Sequence, residues 1–516
     1  MSRRHPLAGR FPGGCHLQPR KAPANARPIG TAGLPGRLVY PLRQRDGNLA
    51  KPCVAPGDTV RRGDRLAGGS HPLDPPIHAA TSGTLVAIVQ HPQPFREAPE
   101  GPCLVLAADG EDRPAPPLPP LDPQRCTREA LIRRAQDAGI TGHGGAVFPT
   151  AAKLAANPAG AHTLIVNGVE CEPYLSCDDR LLRERAEAVA RGAALLQRCF
   201  GVELAVIAVE ADMPEALASL EQTLDRLGLR QLRVAVVPAR YPAGSERQLI
   251  QTLTGREIPA AGRPADLGIL SLNAATCAAL QRAAVLGEIP VSRIVTVAGG
   301  GVRQPQNLEV RFGTPLAHLI AACGGPAGPV ERLLIGGPLT GYPAASDAVP
   351  VSPSVNAVLV AAPGELPAVH APEPCIRCGA CTEVCPARLL PEELFRILSG
   401  GRQRPDAGRA VLDCIECGLC DAVCPSHIPL VAHFRRGKAA LHAERLARAR
   451  AEQARQRHEA RLARKAREQA EREQATQRRR SQLAQGGSPN IQAALARARQ
   501  KRAGTAPPPE DTDDNR

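Results

Sequence analysis

Residues 375–386 read CIRCGACTEVCP and residues 414–425 read CIECGLCDAVCP. Each is a Cys-x2-Cys-x2-Cys-x3-Cys-Pro run, and the second repeats the first. In bacterial two-cluster ferredoxins three such closely spaced thiolates hold one [4Fe-4S] cube, and the fourth cysteine of each run crosses to the other cube. The spacing therefore predicts that Cys375, Cys378, Cys381 and Cys424 share one cluster, and Cys385, Cys414, Cys417 and Cys420 the second. A zinc ribbon is the competing reading, since CxxC pairs also bind tetrahedral zinc. Zinc needs neither the third cysteine, nor the trailing Cys-Pro, nor the repetition. Between the runs, PEELFRILSGG has Pro at its start and Gly at its end, which predicts a short helix and a helical ferredoxin domain over 363–438.

Outside this region the 516 residues have a globular composition, and the length prior suggests about three to four domains. The formal charge is +14, but residues 435–502 alone hold 20 Lys/Arg and 6 Asp/Glu, so the rest of the chain is formally neutral. Basicity thus belongs to an Ala/Arg-rich tail, 439–516, expected as a solvated helix or disordered arm. Leu441, Leu446, Leu462 and Leu483 fall on no sustained heptad. With no Trp, 4 Tyr and 7 Phe, stacking on single-stranded nucleic acid has little material, and no nucleic-acid partner is expected. No apolar run approaches the ~18 residues of a membrane helix, and MSRRHPLAGR precedes no signal-peptide core. The nine cysteines outside the runs have no framework spacing, which fits a reducing compartment.

At the N-terminal end, short β-type runs are punctuated by the turns Gly57-Asp58 and Gly63-Asp64, predicting a small all-β unit over 1–115. Its PGDxVxxGDxL and HAxxSGxL phrases resemble barrel-sandwich domains of biotinyl and lipoyl carriers. No Met-Lys-Met-like tip is present, so it reads as a scaffold. The Pro-rich stretch RPAPPLPPLDP, Arg113 to Pro123, predicts a stiff spacer. Strand-like TLIVNGV, ELAVIAV and LRVAVVP then alternate with helical stretches, the first helix N-capped by Thr127. That alternation means an α/β domain, 124–262, on a largely parallel sheet whose ligands bind beyond the carboxyl ends of the strands. From about 263 to 362 the pattern reads as a β-grasp-like module.

Two phrases in the α/β domain carry chemistry. Gly142-His143-Gly144-Gly145-Ala146-Val147-Phe148-Pro149-Thr150 precedes Lys153; adjacent glycines let backbone N–H groups approach a phosphate, and a lysine one turn on can neutralise it. A strand ending in Asn167-Gly168-Val169-Glu170-Cys171-Glu172-Pro173 places two carboxylates at its carboxyl end, which is costly to bury without a purpose. These phrases resemble the flavin-binding subunit of respiratory complex I. With YPAGSERQLI, the NxxT at Asn273–Thr276, GGPLTG at Gly336–Gly341 and both cysteine runs, the chain more closely resembles the C subunits of Rnf ion-translocating oxidoreductase complexes, over about residues 10–440. His143 stands where the complex I loop has arginine, and Ala275 where Rnf relatives commonly have glycine.

The resemblance implies non-covalent FMN held by Gly144, Gly145, Lys153, Asn167, Gly244, Glu246, Asn273 and Thr276. It places NAD(H) against Phe148, Glu170 and Glu172. The implied function is electron passage between NAD(H), FMN and two [4Fe-4S] clusters, to or from a ferredoxin-like subunit of the same membrane complex. Other subunits would couple this flow to ion transport. The chain would be peripheral, on the cytoplasmic face of the bacterial inner membrane, with membrane contact indirect or through the basic tail. A flavoprotein subunit of a soluble NAD-linked hydrogenase or formate dehydrogenase, and a non-catalytic relay scaffold, are the alternative readings.

Overall fold

The computed structural model describes residues 4–43, 47–69, 71–96, 98–157, 160–260, 262–400, 408–485 and 489–503. Two compact units divide the chain, residues 1–437 and 438–516.

The N-terminal β domain forms a sheet of β1 (Arg37–Pro41), β2 (Thr59–Val60), β3 (Gly83–Pro92) and β4 (Glu100–Ala108) in the antiparallel order β1-β4-β3-β2. Asp58 and Asp64 accept from the backbone N–H of Ala55 and Arg61, closing the two expected Gly-Asp turns. Leu38, Leu66, Leu85, Leu104 and Leu106 fill the core. Residues 4–31 are not part of this barrel. They run across the neighbouring domains, bridging Arg4 to Val234 and Cys15 to Tyr241, and adding Gly30–Thr31 to a later sheet.

The central domain contains α1 (Arg128–Asp137), α2 (Thr150–Ala155), β5 (Thr163–Gly168), α3 (Cys177–Phe200), β6 (Leu204–Glu210), α4 (Pro214–Arg226), β7 (Leu232–Val237), α5 (Glu246–Thr254), β8 (Ile269–Asn273) and α6 (Ala274–Gln281). Its sheet is parallel throughout, in the order β7-β6-β5-β8. Alternate residues serve opposite faces: Leu164, Val166, Ile207 and Leu270 pack under α3, α4 and α6, while Ile165, Val206, Ala235 and Ile269 pack with Phe11 and α5. A parallel sheet covered on both faces needs this near-continuous apolar run in each strand. Thr127 caps α1 by accepting from Ala130 N–H at 3.2 Å. Because β8 pairs with β5, residues 269–281, expected in the following module, lie in this domain; an apolar run announces a strand but not the sheet it joins. The Pro-rich connector is not a free spacer either, since Leu118 and Leu121 donate backbone N–H groups to Gly287 and Ala284 carbonyls beyond the end of α6.

The β-grasp-like module follows, with β9 (Ser292–Ala298), β10 (Gln306–Arg311), α7 (Leu316–Ala322), β11 (Arg332–Ile335) and β12 (Ala357–Ala361) around Val295, Val297, Leu308, Val310, Leu316, Leu319 and Val358. It is joined to the central domain by buried polar bonds. Asn307 donates to the Ala24 carbonyl and Ser176 Oγ, and Thr296 Oγ1 accepts from Ser176 N–H. The cysteine region contains α8 (Ala380–Glu383), α9 (Pro391–Ser399, the helix expected between the runs) and α10 (Leu419–Ala422). Next comes α11 (Leu430–Ala484); in the C-terminal unit it and α12 (Pro489–Ala503) expose almost every residue, with i,i+4 pairs such as Glu444–Arg448 along the surface. A helix polar all round is sustained by propensity and such pairs, not by packing. Among the described residues no helix is long and apolar enough to cross a membrane.

Candidate functional site

Eight residues expected to hold a flavin converge beyond the carboxyl ends of β5 and β8. Asn167, near the end of β5, donates from Nδ2 to the Gly244 carbonyl at 2.8 Å and accepts the Val169 N–H at 3.0 Å. Asn273, closing β8, caps α6 by accepting from Ala275 and Thr276 N–H, and its Nδ2 donates to Asp178 at 2.7 Å. The glycine loop runs between α1 and α2, closed by Gly142 N–H to the Phe148 carbonyl at 2.9 Å. Its Gly144 backs onto Asn273, and His143 N–H donates to Thr276 Oγ1 at 2.9 Å. Lys153 donates to Glu246 Oε1 at 2.6 Å. Gly144 and Gly145 are exposed and Phe148 is half-buried. At Gly244 a Cβ would lie 2.8 Å from the Val169 carbonyl and 3.2 Å from Cys171 Sγ, so only glycine permits the turn against this strand end.

The carboxylates of the Glu170–Glu172 phrase point inward. Glu170 accepts from the Cys177 thiol at 3.2 Å and from the N–H groups of Asp178 and Asp179, where α3 begins. Burial, with repulsion from Asp178, pushes its carboxyl up to about 7. Glu172 accepts from Leu339 and Thr340 N–H, both at 2.8 Å, and from Thr340 Oγ1 at 2.5 Å. It thereby fixes the GGPLTG loop of the β-grasp-like module over the pocket. Lys21, on the N-terminal segment, donates to the Glu170 carbonyl at 2.6 Å and lies 3.5 Å from Glu210 and 3.2 Å from Asp212. Lys21, Asp178, Tyr241 and Arg293 escaped the sequence reading. The partner of each lies in a distant segment, Glu170 for Lys21, Asn273 for Asp178, Cys417 for Tyr241 and His143 for Arg293, so no local phrase marks it.

The cysteine runs lie against this pocket. Tyr241 donates its hydroxyl to the Cys417 carbonyl at 2.6 Å, Gln248 donates to the Pro386 carbonyl, and Gly14 N–H donates to the Val384 carbonyl. Gly418 sits where a Cβ would come 2.5 Å from the Leu339 carbonyl, so the second run touches the same loop that Glu172 holds. The runs repeat one backbone conformation. Arg377 and Glu416 are left-handed, with φ of 57° and 58°, and each donates its N–H to the first thiol of its run at 3.4 Å. Leu389 N–H meets the Cys385 thiol at 3.4 Å. Backbone donors wrapped around sulfur are a means of holding and tuning a cluster. Burial pushes the Cys417 thiol up to about 12, with Cys414 and Cys385 beside it, and Cys414, Cys417 and Cys385 also crowd Cys420. The four thiols expected to share the second cluster thus lie within electrostatic reach of one another, Cys385 arriving from the first run, although among the described residues no three such side chains close around one point. Cys375 and Cys378 are exposed.

Four family models match in this order: the RnfC barrel sandwich hybrid domain over 9–111, the Nuo51 FMN-binding domain over 135–282, the SLBB domain over 294–343 and a 4Fe-4S dicluster domain over 374–428. The residues present fit both groups: the exposed Gly144-Gly145 turn leaves open backbone in front of Asn273, and the two thiol runs offer sulfur ligands with backbone N–H groups turned to Cys375, Cys385 and Cys414. The C subunit of the ion-translocating oxidoreductase complex of Rhodobacter capsulatus is 40% identical over 85% of this chain and 84% of its own. Its counterpart in Pseudomonas aeruginosa is 45% identical over 90% of this chain and 59% of its own, and that of Erwinia tasmaniensis 39% over 96% and 61%. The chain thus spans about three-fifths of the length of the last two. It belongs to the family of C subunits of ion-translocating oxidoreductase complexes, with an iron–sulfur domain and an FMN-binding domain.

Proposed function

We propose that this member of the C-subunit family passes electrons between NAD(H), FMN and two [4Fe-4S] clusters, to or from a ferredoxin-like subunit of an Rnf-type membrane complex. Other subunits would couple the flow to ion transport, with this chain peripheral on the cytoplasmic face of the inner membrane. The observation that carries the reading is the continuity of the pocket with the second cysteine run, through Tyr241–Cys417 and through Glu172, Leu339 and Gly418.

Gly144, Gly145, Lys153, Asn167, Gly244, Glu246, Asn273 and Thr276 would hold FMN, and Phe148 with Glu170 and Glu172 would shape the side that receives NAD(H). Bound FMN supplies the exchange between a two-electron hydride and single electrons. Asn167 and Asn273 orient the strand-end backbone, and Glu172 closes the GGPLTG loop above them. Cys385, Cys414, Cys417 and Cys420 would hold the cluster on the pocket side; Cys375, Cys378, Cys381 and Cys424 would hold the one toward the exposed side, where a partner could approach.

Anaerobic titration of the full chain with NADH tests this. Flavin absorbance should bleach first and cluster absorbance after it. Purified chain without FMN, giving no NADH-driven reduction of a dye, would leave only a relay scaffold and sink the proposal.

A further inference from the structure

Beside the pocket, Lys153 and Lys21 are matched by carboxylates. Lys153 pairs with Glu246, and Lys21 lies between Glu210 and Asp212. Arg293, in β9 of the SLBB module, is 6% exposed and is matched differently. Its Nε donates to the Ile294 carbonyl at 3.2 Å, one Nη to the Pro353 carbonyl and the other to the His143 carbonyl at 3.0 Å. The guanidinium also meets the Cys177 thiol. Among the described residues no carboxylate forms an ion pair with it. Taking a guanidinium out of water without a counter-charge is unfavourable.

The acidic groups nearby do not supply that charge at full strength. Burial pushes the Glu170 carboxyl up to about 7 and the Asp178 carboxyl upward. His143 adds no second cation, because burial and Arg293 bring its ring down to about 3. Arg293 is therefore a buried cation directly behind the glycine loop, with Cys177, Asp178 and Glu170 in its field but no carboxylate paired to it among the described residues. It also lines, with His143, Cys177, Asp178 and Ala275, a cleft of about 1240 Å³ between the α/β domain, the barrel and the SLBB module.

His143 is held at both backbone groups: its N–H donates to Thr276 in α6, and its carbonyl accepts from Arg293 in the next module. The residue that opens the Gly144-Gly145 turn thus has its peptide planes set by two different domains. We propose that Arg293 is a positioning residue of the flavin site, pinning the glycine loop through the His143 carbonyl and supplying a buried positive charge behind that loop for anionic FMN. The inference rests on the reading that this chain binds FMN. Charge placed near a flavin ring tunes its electronics, and a cation favours the more negative, reduced form.

The test uses the full chain carrying Arg293→Gln or Arg293→Lys, with FMN affinity read by fluorescence titration after deflavination and the flavin midpoint potential read by spectroelectrochemistry. Arg293→Gln should weaken FMN binding tenfold or more. If it also weakens the reduced form tenfold more than the oxidised, the two-electron midpoint falls by about 30 mV. Arg293→Lys should recover most of the potential, with iron content and melting temperature unchanged. Wild-type affinity and potential in Arg293→Gln would overturn the proposal. So would a Lys variant no better than Gln with a lowered melting temperature, since that marks a role in folding alone. A wild-type chain that takes up no FMN overturns the FMN reading itself, and Arg293's role with it.

Discussion

The Tyr241 hydroxyl and the Cys417 carbonyl meet at 2.6 Å, joining the turn before α5 to the peptide of a cysteine in the second run. Tyr241 is 4% exposed, so the bond is made out of water. Tyr241→Phe would keep the ring packing and leave the carbonyl without this donor, at about 1–3 kcal/mol. FMN and iron content should stay at wild-type levels while the cluster phase of NADH reduction slows several-fold behind an unchanged flavin phase in stopped-flow absorbance. Equal slowing of both phases would place the effect at the flavin instead.

Glu172 carries a second junction. Its two oxygens take three donors from Leu339 and Thr340, and the side chain is 8% exposed. Glu172→Ala would leave the N–H groups of half-buried Leu339 and exposed Thr340, and the Thr340 hydroxyl, without this acceptor, and water can replace it only in part. Amide exchange over 337–341 should accelerate at least tenfold, with the barrel strands unaffected. Protection unchanged from wild type would show that the loop is held by other contacts.

What was legible in the sequence was local. The helix between the cysteine runs could be read directly, because Pro and Gly bracket it. Gly57-Asp58 and Gly63-Asp64 announced their turns because an Asp side chain bonds its own neighbours. The flavin pocket was readable only through resemblance, since Asn167, Gly244 and Asn273 come from three separate crossovers. Long-range contributions left no trace: Lys21 lies 149 residues from its acceptor at Glu170, and Arg293 lies 150 from His143. The same limit moved the domain division, because the run at 269–273 does not state which sheet it will enter.

The buried carboxyl of Glu170 makes stability depend on pH. Burial first, then Asp178, raises it from 4.5 to about 7, and Glu210 is raised likewise by burial. Between about pH 4.5 and 7 the folded form keeps a proton that the unfolded chain has released. Its stabilising contribution is thus full below 4.5 and is lost as pH rises through 7. At 1.36 kcal/mol per pKa unit this is at most about 3 kcal/mol. Buried His143 and His78, held low, oppose this fall below about pH 6.5, so the readout is the difference: from pH 5 to pH 8 the thermal midpoint of wild type should drop relative to that of Glu170→Gln. A variant with the wild-type slope would remove Glu170 as its source.

The C-terminal unit offers 444–484 as exposed basic helix with no buried apolar stripe. Such a surface binds anionic lipid at about 1 kcal/mol per Lys or Arg near the headgroups, and salt screens the attraction. Deleting residues 445–516 should abolish salt-sensitive sedimentation with phosphatidylserine vesicles while leaving NADH-driven dye reduction intact. Sedimentation that survives the deletion would shift membrane attachment to the other unit.

Cys385 belongs to the first run in sequence but lies with Cys414, Cys417 and Cys420 in space. If each run held its own cluster, Cys385→Ser would act as one with Cys378→Ser. Crossed ligation makes the opposite claim. Cys385→Ser alone should lose about half the iron, and adding Cys420→Ser should lose little more, because both changes strike one cluster. Adding Cys378→Ser to Cys385→Ser should remove the rest. Iron analysis and electron paramagnetic resonance of the three variants separate the two arrangements, since mutations at a shared cluster are strongly non-additive and those at separate clusters add. The reversed pattern, with Cys378 and Cys385 sharing one loss, would overturn the crossing and leave Cys385 on the exposed side.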